Sequence, residues 1–303
     1  MQYALALTAV TLALWSSLAF LSAQLRHLPP FLVTGMALCL GGAIGAFKWR
    51  AWRVPVRTFA VGLAGIFGYH FLYFSAFQLA PAVEVNLINY LWPLLIVVLT
   101  PAMLPHHPLK IQHLAGAILG LAGAALIVTG GQLQIDAAHW LGYASAAAAA
   151  LTWAIYSLLT KRLPPFPTEA VGGFCLASGL LSLALFAVSA SRGQPAQLPA
   201  GADWPVLAFI GLGPMGLAFF TWSAALKRGD PRVIGALSYL TPLASTLVLI
   251  VLGGHTLTAA AGLAMILIVA GALVGSLDLL RRRRTGSALP SDDPVRAAHA
   301  KPS

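Results

Sequence analysis

EVNLINYLWPLLIVVLT (residues 84–100) is apolar enough for lipid, yet it carries two asparagines, a tyrosine, a tryptophan and a proline. Read as a helix, Asn86, Asn89, Tyr90 and Pro93 recur at i, i+3, i+4 and i+7 and share one face. Its centre, YLWPL at 90–94, returns as YLTPL at 239–243, 149 residues later. Matches of the same kind join Trp15 to Trp153, Pro29-Pro30-Phe31 to Pro164-Pro165-Phe166, and Cys39-Leu40 to Cys175-Leu176. Two more join Ser75-Ala76 to Ser223-Ala224 and Gly123-Ala124 to Gly271-Ala272. Composition alone produces single matches between apolar segments, but six in the same order point to a duplication.

The repeated segments read as membrane spans. Of 303 residues, 59% are hydrophobic and only 9% charged, with a mean hydropathy of +0.83. A soluble domain carries about 25% charged residues, so this chain has too few to cover a surface in water. Spanning a bilayer takes about 20 helical residues. Ten runs approach that length: 2–22, 30–47, 58–79, 84–104, 110–130, 139–160, 167–190, 204–226, 231–252 and 258–280. A membrane β-barrel would instead show alternating segments of about ten residues, unlike AGAILGLAGAALIVTGG at 115–131. The first run has no basic n-region and nine more follow it, so it is expected to be retained rather than cleaved as a signal peptide. The expected fold is an all-α polytopic membrane protein of ten transmembrane helices. Residues 1–138 form a first five-helix repeat, 139–280 a second, and 281–303 a basic, polar tail expected to be disordered.

Every match joins span n to span n+5. Five is odd, so the second half enters the membrane in the opposite sense. Inverted repeats of this kind build many secondary transporters, whose substrate sites lie near the midplane between the repeats. With the N-terminus inside, sixteen of the eighteen Lys and Arg residues fall on inside segments, leaving only Arg26 and Arg192 outside. That is the positive-inside pattern, and it places both termini in the cytoplasm. The net charge of +10 is therefore a topology signal. It points to anionic lipid at the inner leaflet and away from nucleic acid.

Polar groups inside a span face the bundle interior or a wet cavity. For Asn86 and Asn89 two readings stand, interhelical hydrogen bonding or a cavity lining. Tyr90, Trp92 and the repeat-related Ser238 and Tyr239 add weight to the second. Pro93 and Pro242 occupy matched positions and each removes a backbone bond, which fits a hinge beside a cavity or a passive kink. GYHFLYFSAF (68–77) puts Tyr69 and Tyr73 one turn apart around His70, the only ionisable group deep inside a span. Buried histidine serves structure or marks a proton or substrate path. Its matched position is read as Ala218, beside Phe219 and Trp222. Trp15 and Trp153 lie mid-span, with Tyr156 a turn beyond Trp153, whereas Trp49, Trp52, Trp140 and Trp204 sit where interfacial belts are expected. Such rings would stack on planar substrates and attract cations. Glu84 reads as a solvated group at an outer mouth.

Gly116 and Gly120, like Gly271 and Gly275, form GxxxG pairs that let backbones approach. Cys39 and Cys175 have neither metal spacing nor loop positions and read as small buried hydrophobes. No metal site, cofactor motif, HExxH, GxSxG or phosphate-binding loop is present in the sequence. Enzymatic and ATP-driven functions lose support, and no span carries the sustained polar face that a channel needs.

Two five-helix repeats, the paired Pro-Pro-Phe and the YLxPL elements resemble the drug/metabolite transporter superfamily with its EamA-type repeats. The resemblance covers about residues 2–280. Within it, GYHFLYFSAFQLAPAVEVNLINYLWPLL is similar to the superfamily's aromatic amino acid exporters. The resemblance implies a multi-pass protein of the bacterial inner membrane, expected to be monomeric, with a central cavity. Its substrates would be aromatic amino acids, with tolerance of other amino acids and of methyl viologen. The substrate-binding residues expected are Tyr69, His70, Tyr73, Asn86, Asn89, Tyr90, Trp92, Trp153 and Tyr156, with Trp222 and Tyr239 added by symmetry, and Pro93 and Pro242 as hinges. The alternatives are a multidrug or nucleoside-type exporter on the same scaffold and, from another class, a channel or sensor.

Overall fold

The computed structural model describes residues 2–132, 135–194, 196–253 and 258–277. Met1, Asp278 and the tail at 281–303 lie outside the described residues. Among the described residues the chain is helical, without strands. Its helical stretches are α1 (Gln2–Gln24), α2 (Pro30–Ala43), α3 (Val56–Leu79), α4 (Ala82–Met103) and α5 (Ile111–Thr129). They continue as α6 (Ala137–Arg162), α7 (Ala170–Ser191), α8 (Asp203–Arg228), α9 (Pro231–Ser238 and Leu240–Gly253) and α10 (Ala259–Gly275).

Each expected run is helical, but three differ from full spans. Seven helices are long and apolar enough to cross a membrane by length and composition. An eighth candidate is α2 with the short helix Ala46–Trp52, bent by 88°. That bend follows from the sequence between them, where Gly45 ends α2 and Lys48 leaves helical geometry at φ −113°, ψ 37°. The second is α9, interrupted at Tyr239 between segments of 8 and 14 residues. The third, α10, has 17 helical residues, fewer than a full span, among the described residues.

Local chemistry sets the helix ends. Pro30 and Pro231 stand in the first helical turn, where a missing N–H costs nothing and φ is already set. Asp230 caps α9 by accepting from the Arg232 amide, and Thr258 caps α10 through the Ala261 amide. Gly130 closes α5 in the left-handed region at φ 59°, where a Cβ would be strained.

Packing follows the duplication. The closest pairs are α2 with α7 and α5 with α10, and around them α3 lies on α6, α1 on α8, α4 on α6, and α1 on α9. Exchanging the halves maps α3–α6 onto α8–α1 and α4–α6 onto α9–α1. The two closest pairs map onto themselves, and each runs antiparallel. On α5, Gly116 meets Gly275 and Gly271, Gly120 meets Gly271, and Gly123 meets Ile268 and Ala264. On α2, Gly35 meets Gly179 and Leu183, while Gly42 meets Gly172 and Leu176. A Cβ on Gly116 would fall 2.5 Å from the Gly275 nitrogen, so both GxxxG pairs act as backbone contacts, as their spacing predicts. Cys175 is buried and Cys39 partly so, both as free thiols, and Cys39 packs on Gly179. Trp49, Trp140 and Trp204 are at least half exposed, as interfacial residues would be. Trp52 instead covers Gly173.

Candidate functional site

The two halves carry the same irregularities at the same register. α3 opens into a π-turn at Ala64–Gly68, and α8 does so at Gly213–Leu217, 149 positions later. α4 breaks at Tyr90 and α9 at Tyr239, also 149 apart. The breaks fall three residues before Pro93 and Pro242 because proline removes the bond to the carbonyl four residues back and crowds the preceding turn. In each π-turn a carbonyl accepts from a side chain. His70 Nδ1 takes that of Ile66 at 2.7 Å, and Trp15 Nε1 takes that of Pro214 at 3.1 Å. Since the Ile66 carbonyl can only accept, His70 carries its proton on Nδ1 and keeps Nε2 as an acceptor.

That common register changes one sequence expectation. Phe219 rather than Ala218 is the counterpart of His70, and Trp222 is the counterpart of Tyr73. The paired rings converge. Trp15 and Trp153 lie 5.8 Å apart between centroids, and His70 and Phe219 lie 6.1 Å apart. Trp222 contacts Trp15 at 5.1 Å, Trp92 at 5.6 Å and Trp153 at 6.3 Å. Tyr69 reaches Trp153 at 5.3 Å and stacks on Tyr73 at 5.6 Å. Tyr156 extends the group from Trp153, its ring lying over Gly65 of the α3 π-turn. Four tryptophans from α1, α4, α6 and α8 thus meet in the middle of the bundle, mostly edge to face, the arrangement that ring quadrupoles favour.

The polar groups are arranged around those rings. Trp222 Nε1 donates to Ser157 Oγ at 3.1 Å, linking α8 to α6. Tyr73 donates to Asn86 Oδ1, and Asn89 donates to the Tyr69 hydroxyl at 3.2 Å. The asparagines therefore tie α4 to α3, which fulfils the interhelical reading. Asn89 Oδ1 is nevertheless buried with no hydrogen bond among the described residues, and Tyr69, Tyr73, Asn86 and Tyr90 stay half-buried. The helix clamp thus leaves an unpaired acceptor and partly exposed hydroxyl and amide groups.

Tyr239 is not brought to this cluster. Its ring is fully buried against Gly120. Its hydroxyl donates to the Tyr90 carbonyl at 3.1 Å and accepts from the Leu94 amide at 3.2 Å. Those two groups would bond each other in an unbroken helix, so the Tyr239 oxygen is inserted into the ladder of α4 where it parts. Glu84 departs from expectation as well. It is buried, with Oε2 lacking a partner among the described residues, because the first turn of α4 packs on α5 and α6 instead of facing water. Trp15, Phe219 and Ser157 were not among the expected site residues. Trp15 carried a signal, since it is mid-span and repeat-matched; the π-turns had only their Gly and Pro content, as in GPMG at 213–216.

The EamA-like transporter family matches this chain twice, over residues 2–129 and 140–277. The chain belongs to the EamA-like transporter family. It is thus a multi-pass membrane protein of the drug/metabolite transporter superfamily. It is 42% identical over 278 residues to the aromatic amino acid exporter YddG of Ancylobacter novellus, covering 89% of this chain and 95% of that one. Protein PecM of Dickeya dadantii is 29% identical over 233 residues, 75% of this chain and 72% of that one. A solved structure described only as "Crystal structure of protein" superposes with a TM-score of 0.86 at 39% identity, covering 95% of this chain and all of the other. Family membership agrees with the sequence resemblance.

Proposed function

We propose that this chain exports aromatic and related amino acids from the bacterial cytoplasm by alternating access between two inverted five-helix repeats. The observation that carries this reading is the convergence of Trp15, Trp92, Trp153 and Trp222, from both halves, beside the half-buried Tyr69, Tyr73 and Asn86. Antiparallel contact between α2 and α7, and between α5 and α10, supports the inversion. So does the set of helix pairings that is unchanged when the halves are exchanged. Near-equivalent halves give two closed arrangements of similar free energy, which is what alternating access needs.

In this reading the indole faces hold the substrate ring. The Tyr69, Tyr73 and Asn86 groups and the Asn89 oxygen orient the ammonium and carboxylate, and Tyr90 lines the same chamber. Pro93 and Pro242, with the breaks beside them, serve as hinges. The identity of the 42% relative as an aromatic amino acid exporter supports the substrate class. Among the described residues His70 is the imidazole or carboxylate deepest in a span, with the buried Glu84 and His113 near span ends, and coupling is read as weak or absent. The protein works as a monomer with both termini in the cytoplasm of an inner membrane whose anionic lipids meet its basic inner segments. It needs no cofactor or metal.

Counterflow in proteoliposomes tests the reading. Internal unlabelled Phe should drive accumulation of labelled Phe, and Trp and Tyr should compete. The second reading is a methyl viologen or multidrug exporter, favoured by the cage of rings, which attracts flat cations. Competition by methyl viologen with none by amino acids would establish that alternative. Ohmic current in planar bilayers would instead establish a channel. Strict dependence on a pH gradient that survives loss of His70 would refute weak coupling.

A further inference from the structure

Away from the rings, a groove of about 660 Å³ opens at one end of the bundle. It is bounded by Tyr3 at the start of α1, Lys227 and Arg228 in the last turn of α8, and Phe166 and Glu169 in the segment leading into α7. Its chemistry is uneven in a useful way. Lys227 Nζ sits 3.6 Å from the Phe166 ring centroid and spends one donor on the Phe166 carbonyl at 3.0 Å. Arg228 lies over Tyr3 at 5.6 Å and gives one donor to Ala224 of its own helix at 3.2 Å. An ammonium has three donors and a guanidinium five, so both of these lining side chains hold donors beyond the bonds named. The one carboxylate in the lining, Glu169, uses Oε1 on Lys48 at 2.7 Å, and that hydrogen bond holds its carboxyl below the usual carboxylate range.

We infer that this groove is a loading site that receives an aromatic amino acid as a zwitterion before it reaches the ring-lined centre. Lys227 and Arg228 take the carboxylate, the second oxygen of Glu169 takes the ammonium, and the Tyr3 and Phe166 rings take the side chain. A cation pair alone would suit any anion; the carboxylate and the two rings select a ligand carrying both charges and a flat apolar group. Position agrees with the role. Lys227 follows Trp222 by five residues on the same helix, about 8 Å along its axis. The inference rests on the export reading and on the basic end of the bundle being cytoplasmic.

The test compares the two faces of the membrane. Labelled Phe uptake by inside-out vesicles reads the cytoplasmic face, and uptake by right-side-out vesicles reads the other. Lys227→Gln and Arg228→Gln should each raise KM at the cytoplasmic face about tenfold, as loss of a charge-assisted hydrogen bond does. The maximal rate at the cytoplasmic face and the opposite-face KM should not change, while the maximal rate from the opposite face falls in proportion, because an uncoupled carrier keeps Vmax/KM equal at its two faces. Lys227→Arg should restore most of the loss. Arg228→Gln gives up a bond within its own helix and the contact with the Tyr3 ring, and keeps the test valid if Lys227→Gln folds poorly. Equal shifts at both faces, or none, would overturn the inference. So would an effect seen in reconstituted vesicles containing phosphatidylglycerol but absent in pure phosphatidylcholine, which would mark the groove as a lipid headgroup site. Wild-type protein that moves Phe across neither face refutes the export reading itself, and this inference with it.

Discussion

Removing the Tyr239 hydroxyl should loosen the junction between the halves more than any equally small change nearby. Tyr239→Phe keeps the ring on Gly120 but strands the Tyr90 carbonyl and the Leu94 amide. The broken helix cannot close that gap by itself, because the parting at Tyr90 is imposed by Pro93. Two hydrogen bonds at about 0.5–1.5 kcal/mol each amount to about 1–3 kcal/mol. Values measured between membrane helices sit at the lower end, roughly 0.6–1.7 kcal/mol. The control is Tyr90→Phe, whose hydroxyl has no hydrogen bond among the described residues. It should cost no more than about 0.5 kcal/mol, as surface changes do. Chemical denaturation in mixed micelles, read by tryptophan fluorescence, would compare the two. Equal midpoints for Tyr239→Phe and wild type, or a larger loss from Tyr90→Phe, would refute the inserted-hydroxyl account.

Four further outcomes are expected. Trp153→Ala should abolish counterflow and also cost about 3–5 kcal/mol from the cavity it leaves, so Trp153→Phe and Tyr90→Ala, with folded yield checked by gel filtration, isolate the effect on transport. Gly271→Ala would place a Cβ 2.6 Å from the Gly116 carbonyl and should destabilise by about 1–3 kcal/mol, seen as a lower denaturation midpoint. Asp230 sits between helices, where burial alone would raise its pKa, but hydrogen bonds from Arg232 and His107 and the Arg232 charge hold it well below the usual carboxylate range. The stability it confers is present above the unfolded value, near 3.9, and is lost as pH falls through the lower folded value. Asp230→Asn should therefore destabilise at neutral pH by about 1–3 kcal/mol and flatten the acid limb of a pH–stability curve. Labelling of single cysteines near residue 2 and near residue 281 from one side only should modify both together; modification on opposite sides would end the inverted-repeat reading.

Much of the architecture could be read from residue types because lipid imposes simple rules. Runs of apolar residues gave the helices, and YLWPL against YLTPL gave the register of the two halves. Helix length was harder to read. Hydropathy does not register the bend after Gly45 or the parting at Tyr239, since neither changes polarity. The aromatic site was legible where side chains announce themselves, as with Tyr69, His70 and Trp153. The π-turns were not, because an extra residue in a helical turn leaves composition untouched; the pairing of His70 with Phe219 follows from the same 149-residue offset that joins Tyr90 to Tyr239. Tyr239 looked like a lining residue because its counterpart Tyr90 does, yet the same side chain in the other half is buried against a glycine. Glu84 misled for the reverse reason. A carboxylate near a helix end is usually wet, and only the packing of α4 on its neighbours shows otherwise.

The glycine seams have a consequence for where such a chain comes from. In both, a helix lies against its own counterpart, head to tail, so each surface is complementary to itself. A self-complementary patch is the mark of a two-fold dimer. A half-length ancestor carrying one Gly116-like helix could have assembled from two copies lying in opposite senses, with no new interface to evolve when the gene doubled. Within one chain the matched positions are free to differ, and one half holds His70 and Trp92 where the other holds Phe219 and Thr241.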